Sequence, residues 1–221
     1  MTHAILMVGS PRTERSSSNA IADYLGTHLR EHGVTIEKLF IHRINNDSDL
    51  LNLSTSIASS DIVVLCAPLY VDSLPAPVLR ILQRIAADRT RDPPNSPLFG
   101  VVINCGYPEA SQCTCAIEIC RLFASRAHLR WAGGIAFGAG PSIGGRPLEQ
   151  TGGATRFLRP ALERAAEALA SGVPIPDDAI TLAAKPILPS RLYSFIVRRR
   201  WLKAARHHGV DKKLDARPFA P

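Results

Sequence analysis

The sequence predicts an α/β fold in which helices cover both faces of a parallel sheet. From residue 4 to residue 170, short apolar runs alternate with longer segments whose apolar residues recur at helical spacing. Apart from residues 34–41, which alternate in part, the short runs are largely apolar, as expected of strands that are buried on both faces. The chain has 221 residues, 46% of them hydrophobic and 20% charged, which suffices for one domain with a full core and an appendage.

Five strands and five helices are predicted in strict alternation. The strands cover residues 4–8, 34–41, 61–66, 98–103 and 131–137. The helices cover residues 18–31, 49–59, 76–87, 114–128 and 154–170, and a polar, proline-rich loop is expected at 89–97. Helix-length connections between strands favour parallel pairing. We expect the strand order 2-1-3-4-5, in which the ends of strands one, three and four are neighbours.

The end of the chain is predicted to be a basic appendage, residues 173–221, which follows a domain at 1–172. Four prolines mark its start, and Ser190 is a candidate cap for a last helix over 191–207. Residues 191–221 hold nine Lys/Arg and two Asp/Glu, whereas residues 1–190 hold 17 of each, so the whole net charge of +7 lies here. An apolar stripe on the helix consists of Tyr193, Ile196, Val197, Trp201 and Ala204.

Three roles are open for this basic helix. It can pack its apolar stripe on the domain or on a partner subunit, touch an anionic membrane surface, or bind nucleic acid. Packing is the first expectation, and nucleic acid the last, because no nucleic-acid-binding fold accompanies the helix.

The loop after the first strand has the composition of an anion site. Residues 9–19 read Gly-Ser-Pro-Arg-Thr-Glu-Arg-Ser-Ser-Ser-Asn and lead into a helix. Serine hydroxyls, backbone N–H groups and a helix N-terminus bind anions, and Arg12 can add a charge-assisted bond to a phosphate. The segment matches neither a nucleoside-triphosphate P-loop nor a Rossmann turn. A polar loop with a serine N-cap is the alternative.

Two further loops follow strands three and four, and in the expected order they open at the same edge of the sheet. Residues 67–75 combine Tyr70 with apolar groups and backbone donors, a surface that suits a flat heterocycle. Residues 104–109 contain Gly106, which lets backbone approach a ligand closely. Taken singly, these segments are also compatible with a half-buried loop aromatic and a plain turn.

Together, the three loops resemble those of the NAD(P)H-dependent FMN reductases and related flavodoxin-like proteins. The resemblance covers residues 3–170. It rests on Gly-Ser-Pro-Arg at 9–12 with serines at 16–18, on Pro-Leu-Tyr at 68–70 with Ser-Leu-Pro at 73–75, and on Asn-Cys-Gly-Tyr-Pro-Glu at 104–109. It implies a flavodoxin-like, three-layer α/β/α fold, FMN as the cofactor, and a homodimer or homotetramer.

The site residues implied by the resemblance form two groups. The FMN phosphate would be held by Ser10, Arg12, Ser16, Ser17 and Ser18. The isoalloxazine ring would lie beside Pro68, Leu69, Tyr70, Val71 and Ser73 on one loop and Asn104, Cys105, Gly106 and Tyr107 on another. The chain departs from its relatives at residues 13–15, where Glu14 would oppose a phosphate unless Arg15 offsets its charge.

The function implied by the resemblance is that of an oxidoreductase that takes hydride from NAD(P)H and reduces a flavin, a quinone or another small acceptor. We name no catalytic side chain, because the flavin itself carries the redox chemistry. One alternative is a non-enzymatic electron carrier of the flavodoxin type, although such carriers are usually strongly acidic. Another is a partner-binding protein that uses the basic tail.

The five cysteines are expected to be free thiols in a reducing cytoplasm, because their number is odd and no secretion signal is evident. Cys105, Cys113, Cys115 and Cys120 lack the C-x2-C pairs expected of iron–sulfur loops. We therefore expect no cluster, and no metal at His207 and His208. Six glycines between residues 138 and 153 are expected to form a flexible loop that shapes the mouth of the site or a subunit contact.

Overall fold

The computed structural model describes residues 2–89 and 96–216. The strands are β1 (His3–Val8), β2 (Thr35–Phe40), β3 (Ile62–Pro68), β4 (Leu98–Asn104) and β5 (Arg130–Phe137). The helices are α1 (Ser17–Glu31), α2 (Asp47–Ser59), α3 (Ala76–Asp88), α4 (Thr114–Arg126), α5 (Leu158–Ala170), α6 (Asp177–Ala183) and α7 (Ser190–His207). The chain divides into a first unit that ends at Ile187 and a second that begins at Leu188.

The strands are all parallel and lie in the order β2-β1-β3-β4-β5, so the predicted strand order is confirmed. The central strands β1, β3 and β4 are almost completely buried, whereas β2 lies at an edge and is largely exposed. Val8 pairs with Cys66, and Asn104 pairs with both Pro68 and Phe137. The loops after β1, β3, β4 and β5 therefore open at one edge of the sheet.

Helices cover both faces of this sheet, as the apolar strands predicted. On one face, Ile57 of α2, Ile85 of α3 and Phe123 of α4 pack into a buried cluster with Phe99. On the other face α1 packs close to the sheet, since a Cβ added to Gly26 would lie 2.9 Å from Leu6. Burying each such side chain stabilises the fold by about 1.5–3 kcal/mol.

The end of the first unit differs from the prediction. Helix α5 begins at Leu158 rather than residue 154, because Leu148–Thr155 forms a 3-10 segment that is kinked at Gly152 (φ 57°, ψ −133°). Residues 173–187 are not a plain linker, since they contain α6, whose Ala179 and Ala183 are buried. The first unit therefore extends to Ile187, beyond the expected boundary at 172.

The second unit contains the expected basic helix. Helix α7 includes Ser190, and Pro189 rather than Ser190 takes the N-cap position. The proline-rich loop expected at 89–97 lies mostly outside the described residues. No helix in the described part of the chain is long and apolar enough to cross a bilayer.

The five cysteines are free thiols. Cys66, Cys105, Cys113 and Cys120 are buried, and Cys115 is exposed. Burial raises the pKa of the Cys66 and Cys120 thiols to about 12, because it disfavours the thiolate. Within residues 2–89 and 96–216, no group of three or more His, Cys, Asp or Glu side chains is placed to hold a metal ion.

Cys115 should be the first thiol to react with an aromatic disulfide reagent in the native protein, because it alone of the five is exposed. Cys66 and Cys120 should react only after denaturation, even at pH 9, since both are buried and protonated there. Cys115→Ser should remove the fast phase of the absorbance trace, and Cys120→Ser should leave it unchanged. A fast phase that survives Cys115→Ser would contradict the burial pattern.

Candidate functional site

The loop after β1 is held by backbone hydrogen bonds and by a serine cap. The Gly9 N–H donates to the Cys66 carbonyl at 2.9 Å, which keeps the start of the loop beside β3. A 3-10 turn at Thr13–Arg15 follows, and Ser16 then caps α1. The Ser16 hydroxyl accepts from the Asn19 N–H at 3.0 Å and donates to the Thr13 carbonyl at 2.6 Å. The expected serine N-cap is therefore present, and it orients the start of α1.

Some hydrogen-bond donors of this loop are used by the protein, and others remain available to an anion. The Ser17 hydroxyl donates its proton to the Gly140 carbonyl at 2.8 Å. The Ser10 hydroxyl accepts a hydrogen bond from the Arg12 N–H at 3.3 Å, and the Ser18 hydroxyl accepts one from the Asn104 amide at 2.9 Å. Each hydroxyl therefore still has its own proton to donate. In the described chain, no acceptor lies against the Ser17 or Ser18 N–H in the first turn of α1. These N–H groups are the usual anion donors of a helix N-terminus.

Glu14 is neutralised by a residue other than the expected one. Its carboxylate forms an ion pair with Arg43, not with Arg15. A hydrogen bond from Thr13, together with that from Arg43, lowers the Glu14 pKa to about 2, so the group is an anion at neutral pH. The Arg43 guanidinium also lies 4.6 Å from the centre of the Phe40 ring. The negative charge of Glu14 is therefore compensated by Arg43. Arg12 and Arg15 are both exposed.

The loop after β3 forms a tight two-residue turn. Tyr70 and Ser73 exchange two backbone hydrogen bonds, of 2.8 and 3.1 Å, across Val71 and Asp72. Both central residues have positive φ angles, 48° and 59°, which is the pattern of a type I′ turn. A β-branched residue is strained in that region, and Val71 is also 97% exposed. Strain of this kind is concentrated at functional sites.

Asn104, at the end of β4, joins the loops to one another. Its side-chain amide donates to the Ser18 hydroxyl at 2.9 Å and to the Ala67 carbonyl at 3.1 Å. Its backbone carbonyl accepts from the Leu69 N–H at 2.8 Å. The residue is 5% exposed, so each of these bonds lies in a buried setting. One side chain therefore fixes the loop after β1 against the loop after β3.

The loop after β4 presents an open glycine and an exposed tyrosine. Cys105 is buried, and a hydrogen bond from Cys113 lowers the pKa of its thiol, although burial acts in the opposite direction. A Cβ added to Gly106 would meet no atom within 4 Å, and its φ is not positive. The fold therefore has no steric need for glycine there. Tyr107 is 55% exposed, and Tyr70 on the neighbouring loop is 42% exposed.

Three glycines after β5, Gly138, Gly140 and Gly145, complete the frame of the candidate site, within the segment that was expected to shape the mouth of the site or a subunit contact. The Gly140 N–H donates to the Cys105 carbonyl at 2.8 Å, and a Cβ there would lie 2.7 Å from the Asn104 side-chain oxygen. A Cβ on Gly138 would lie 2.3 Å from the Pro108 carbonyl oxygen, and one on Gly145 would lie 2.6 Å from that of Arg15. The high density of glycines in the sequence was the signal for these contacts, since a glycine lets two backbone segments approach each other closely.

Nine of the fourteen predicted site residues fall into two contrasting sets in the structure. Hydrogen bonds connect Ser17, Ser18, Leu69, Asn104 and Cys105 through neighbouring backbone. Arg12, Tyr70, Val71 and Tyr107 are exposed. The site therefore has a buried frame of polar groups and an exposed set of side chains that a ligand can contact.

Comparison with known proteins places the fold. No family model matches the sequence, and no curated protein sequence matches it. Among solved structures, a flavone reductase has a TM-score of 0.60 at 13% identity, over 78% of this chain and 66% of that one. The chain has the flavodoxin-like fold. An NAD(P)H:quinone oxidoreductase from Methanothermobacter marburgensis has a TM-score of 0.60 at 14% identity, over 76% of this chain and 95% of that one.

A flavodoxin from Streptococcus pneumoniae TIGR4 has a TM-score of 0.54 at 17% identity, over 78% of this chain and all of that one. Identities this low establish the fold alone. Reductases and flavodoxins both share it, so the choice between them depends on the chemistry of the site.

Asn104→Ala should lower the free energy of unfolding by about 2–4 kcal/mol, because it removes two buried hydrogen bonds and leaves the Ala67 carbonyl without that donor. Asn52→Ala, on the exposed side of α2, is the matched control and should change it by less than about 0.5 kcal/mol. Urea denaturation followed by circular dichroism measures both. Equal stabilities of the two variants would show that the Asn104 amide does not hold the loops together.

Proposed function

We propose that this chain is an FMN-dependent oxidoreductase that takes hydride from NAD(P)H and reduces a small acceptor such as a flavin or a quinone. The observation that carries the proposal is the convergence of four loops on Asn104. The segments that meet there carry open helix N-terminal donors, two exposed tyrosines and an unobstructed glycine. The reductases among the structural neighbours support the same assignment.

The donors after β1 fit a phosphate monoester. The Ser17 and Ser18 N–H groups lie in the first turn of α1, where the helix dipole favours a negative charge. The hydroxyls of Ser10 and Ser18 have protons to give, and Arg12 supplies positive charge. The Ser16 hydroxyl and the Ser17 hydroxyl are committed to protein partners, so they position the loop for the ligand.

The loops after β3 and β4 fit the ring. Pro68, Leu69 and Tyr70 offer an apolar and aromatic surface. The strained Val71 lies at the tip of the turn, and Ser73 pairs with Tyr70 at its base. Asn104, Cys105, Gly106 and Tyr107 offer backbone groups and a second aromatic ring. A flat heterocycle needs apolar contact on its faces and hydrogen-bonding partners along its edge, and these two loops supply both.

The residues of this chain bind, orient and exclude water, while bound FMN supplies the capacity to accept a hydride. Tyr70 and Tyr107 are exposed and can cover the ring or the nicotinamide that approaches it. The buried bonds of Asn104 keep the loops in place during turnover, which limits the reorganisation that each cycle requires. No side-chain acid or base is required for hydride transfer.

An absorption titration tests the proposal directly. The full-length protein should bind FMN with a perturbed flavin spectrum, and anaerobic NADH or NADPH should bleach it. Steady oxidation of the nicotinamide in the presence of a quinone or free flavin would identify an enzyme. Binding and bleaching without turnover would instead identify an electron carrier, and no FMN binding at all would overturn both assignments.

Gly106→Ala should weaken FMN binding about tenfold or more and leave the melting temperature unchanged, because the added methyl meets no protein atom and occupies space reserved for the ligand. Gly153→Ala is the matched control, since its φ is not positive and its Cβ would be 3.8 Å from the nearest atom, which belongs to the Arg156 guanidinium. Fluorescence titration of FMN measures the affinities. Unchanged affinity in Gly106→Ala would show that the ligand does not approach this backbone.

The homodimer or homotetramer implied by the resemblance remains a prediction. The exposed Leu122 on α4 borders an apolar groove that is also lined by Leu79 and Leu82 of α3. Light scattering after size-exclusion chromatography gives the mass of the particle and so tests the expectation.

A further inference from the structure

The second unit carries an unusually one-sided charge. Helix α7 contains six Lys/Arg residues and no Asp or Glu among its 18 residues. Within residues 188–216, the ion pair found joins Arg206 to Asp211 at 3.7 Å. Most of the positive charge of α7 is therefore available to an anionic partner.

Large apolar side chains on the same helix are exposed. Trp201 is 75% exposed and Phe195 56%, and Leu192 and Ile196 are exposed to a lesser extent. Val210 and Leu214 extend this apolar surface beyond the helix. Exposed Trp, Phe, Leu and Ile side chains on one short segment are unfavourable in water and indicate a surface that binds something.

Cationic and apolar side chains are interleaved around α7. At 100° per residue, Tyr193, Val197 and Trp201 follow one another along a single face. Ile196 flanks this face beside Tyr193, whereas Leu192 and Phe195 stand among basic residues on the other side. The Arg199 guanidinium lies 5.3 Å from the centre of the Phe195 ring. This arrangement suits the headgroup region of a bilayer, where apolar side chains enter the acyl boundary and long basic side chains reach the phosphates.

The charge and the apolar side chains of α7 argue against two other binding partners, a second copy of the helix and a nucleic acid. A second copy of this helix would bring six further cations against the first six, and residues 1–190 carry no net negative charge to attract it. Nucleic acid would attract the arginines, but it offers no apolar phase for Leu192 and Ile196, which gain little from stacking on bases. An anionic lipid surface satisfies both properties of the helix at once.

We propose that α7 is a peripheral membrane-binding helix that attaches this protein to anionic phospholipid surfaces. Attachment combines electrostatic attraction by the arginines with insertion of Phe195 and Trp201 into the interface. Neither contribution requires bound FMN, so the proposal is independent of the redox assignment.

Vesicle sedimentation tests this proposal with the full-length protein. We expect binding to vesicles of phosphatidylcholine mixed with the anionic lipid phosphatidylglycerol, and no binding to pure phosphatidylcholine. Raising the salt concentration should weaken the binding, because screening reduces electrostatic attraction. Binding that is equal on both vesicles, or absent from both, would overturn the proposal.

Two variants separate the contributions of charge and apolar contact. The triple change Arg198→Gln, Arg199→Gln and Arg200→Gln should lower the partition coefficient at least tenfold. The matched control removes the same charge from exposed positions of the first unit, with Arg30→Gln, Arg121→Gln and Arg164→Gln, and should bind like the wild type. Phe195→Ser with Trp201→Ser retains every charge and should also lower binding at least tenfold.

Tryptophan fluorescence reports insertion itself. The chain has two tryptophans, so Trp201→Phe leaves only Trp131 and identifies the signal of the helix. The wild-type emission should shift to shorter wavelength with anionic vesicles, and Trp201→Phe should abolish the shift. Tight binding of duplex DNA or RNA without any vesicle-dependent shift would overturn the proposal in favour of a nucleic-acid ligand.

Discussion

The side-chain amide of Asn104 is the constraint on which the candidate site depends. It is buried, and it bonds at once to the start of α1 and to the end of β3, while its backbone fixes the following loop. A buried amide that lost one of these partners would be costly, so the loops have few alternative arrangements. The exposed side chains of the candidate site lie on loops that this frame holds.

The sheet and its order could be predicted from the sequence, because burial on both faces leaves a local mark in each strand. The apolar runs that became β1, β3 and β4 are examples. Helix α6 could not be predicted from the sequence. The prolines on either side resemble those of a linker, and the helix is too short to show a clear apolar periodicity. The late start of α5 depended on a kink at Gly152 that composition does not reveal.

The hydrogen-bond partners within the candidate site could not be predicted from the sequence. Three adjacent serines have similar local signals, yet Ser16 caps a helix, Ser17 bonds to Gly140 and Ser18 bonds to Asn104. The partners of Ser17 and Ser18 are 123 and 86 residues away, and no local pattern encodes such distances. Arg43, which neutralises Glu14, is likewise distant from it in sequence, because it follows β2.

The position of the glycine-rich segment in the chain also constrains when the site can form during synthesis. A nascent chain that has emerged only through β4 already contains Ser10, Tyr70 and Asn104, yet it lacks the Gly140 carbonyl that holds Ser17 and the Gly145 backbone that abuts Arg15. The contacts that hold the loop after β1 are therefore complete only when residue 145 has left the ribosome. A product of early termination that ends after β4 contains Ser10, Tyr70 and Asn104 but lacks the backbone that holds Ser17 and abuts Arg15.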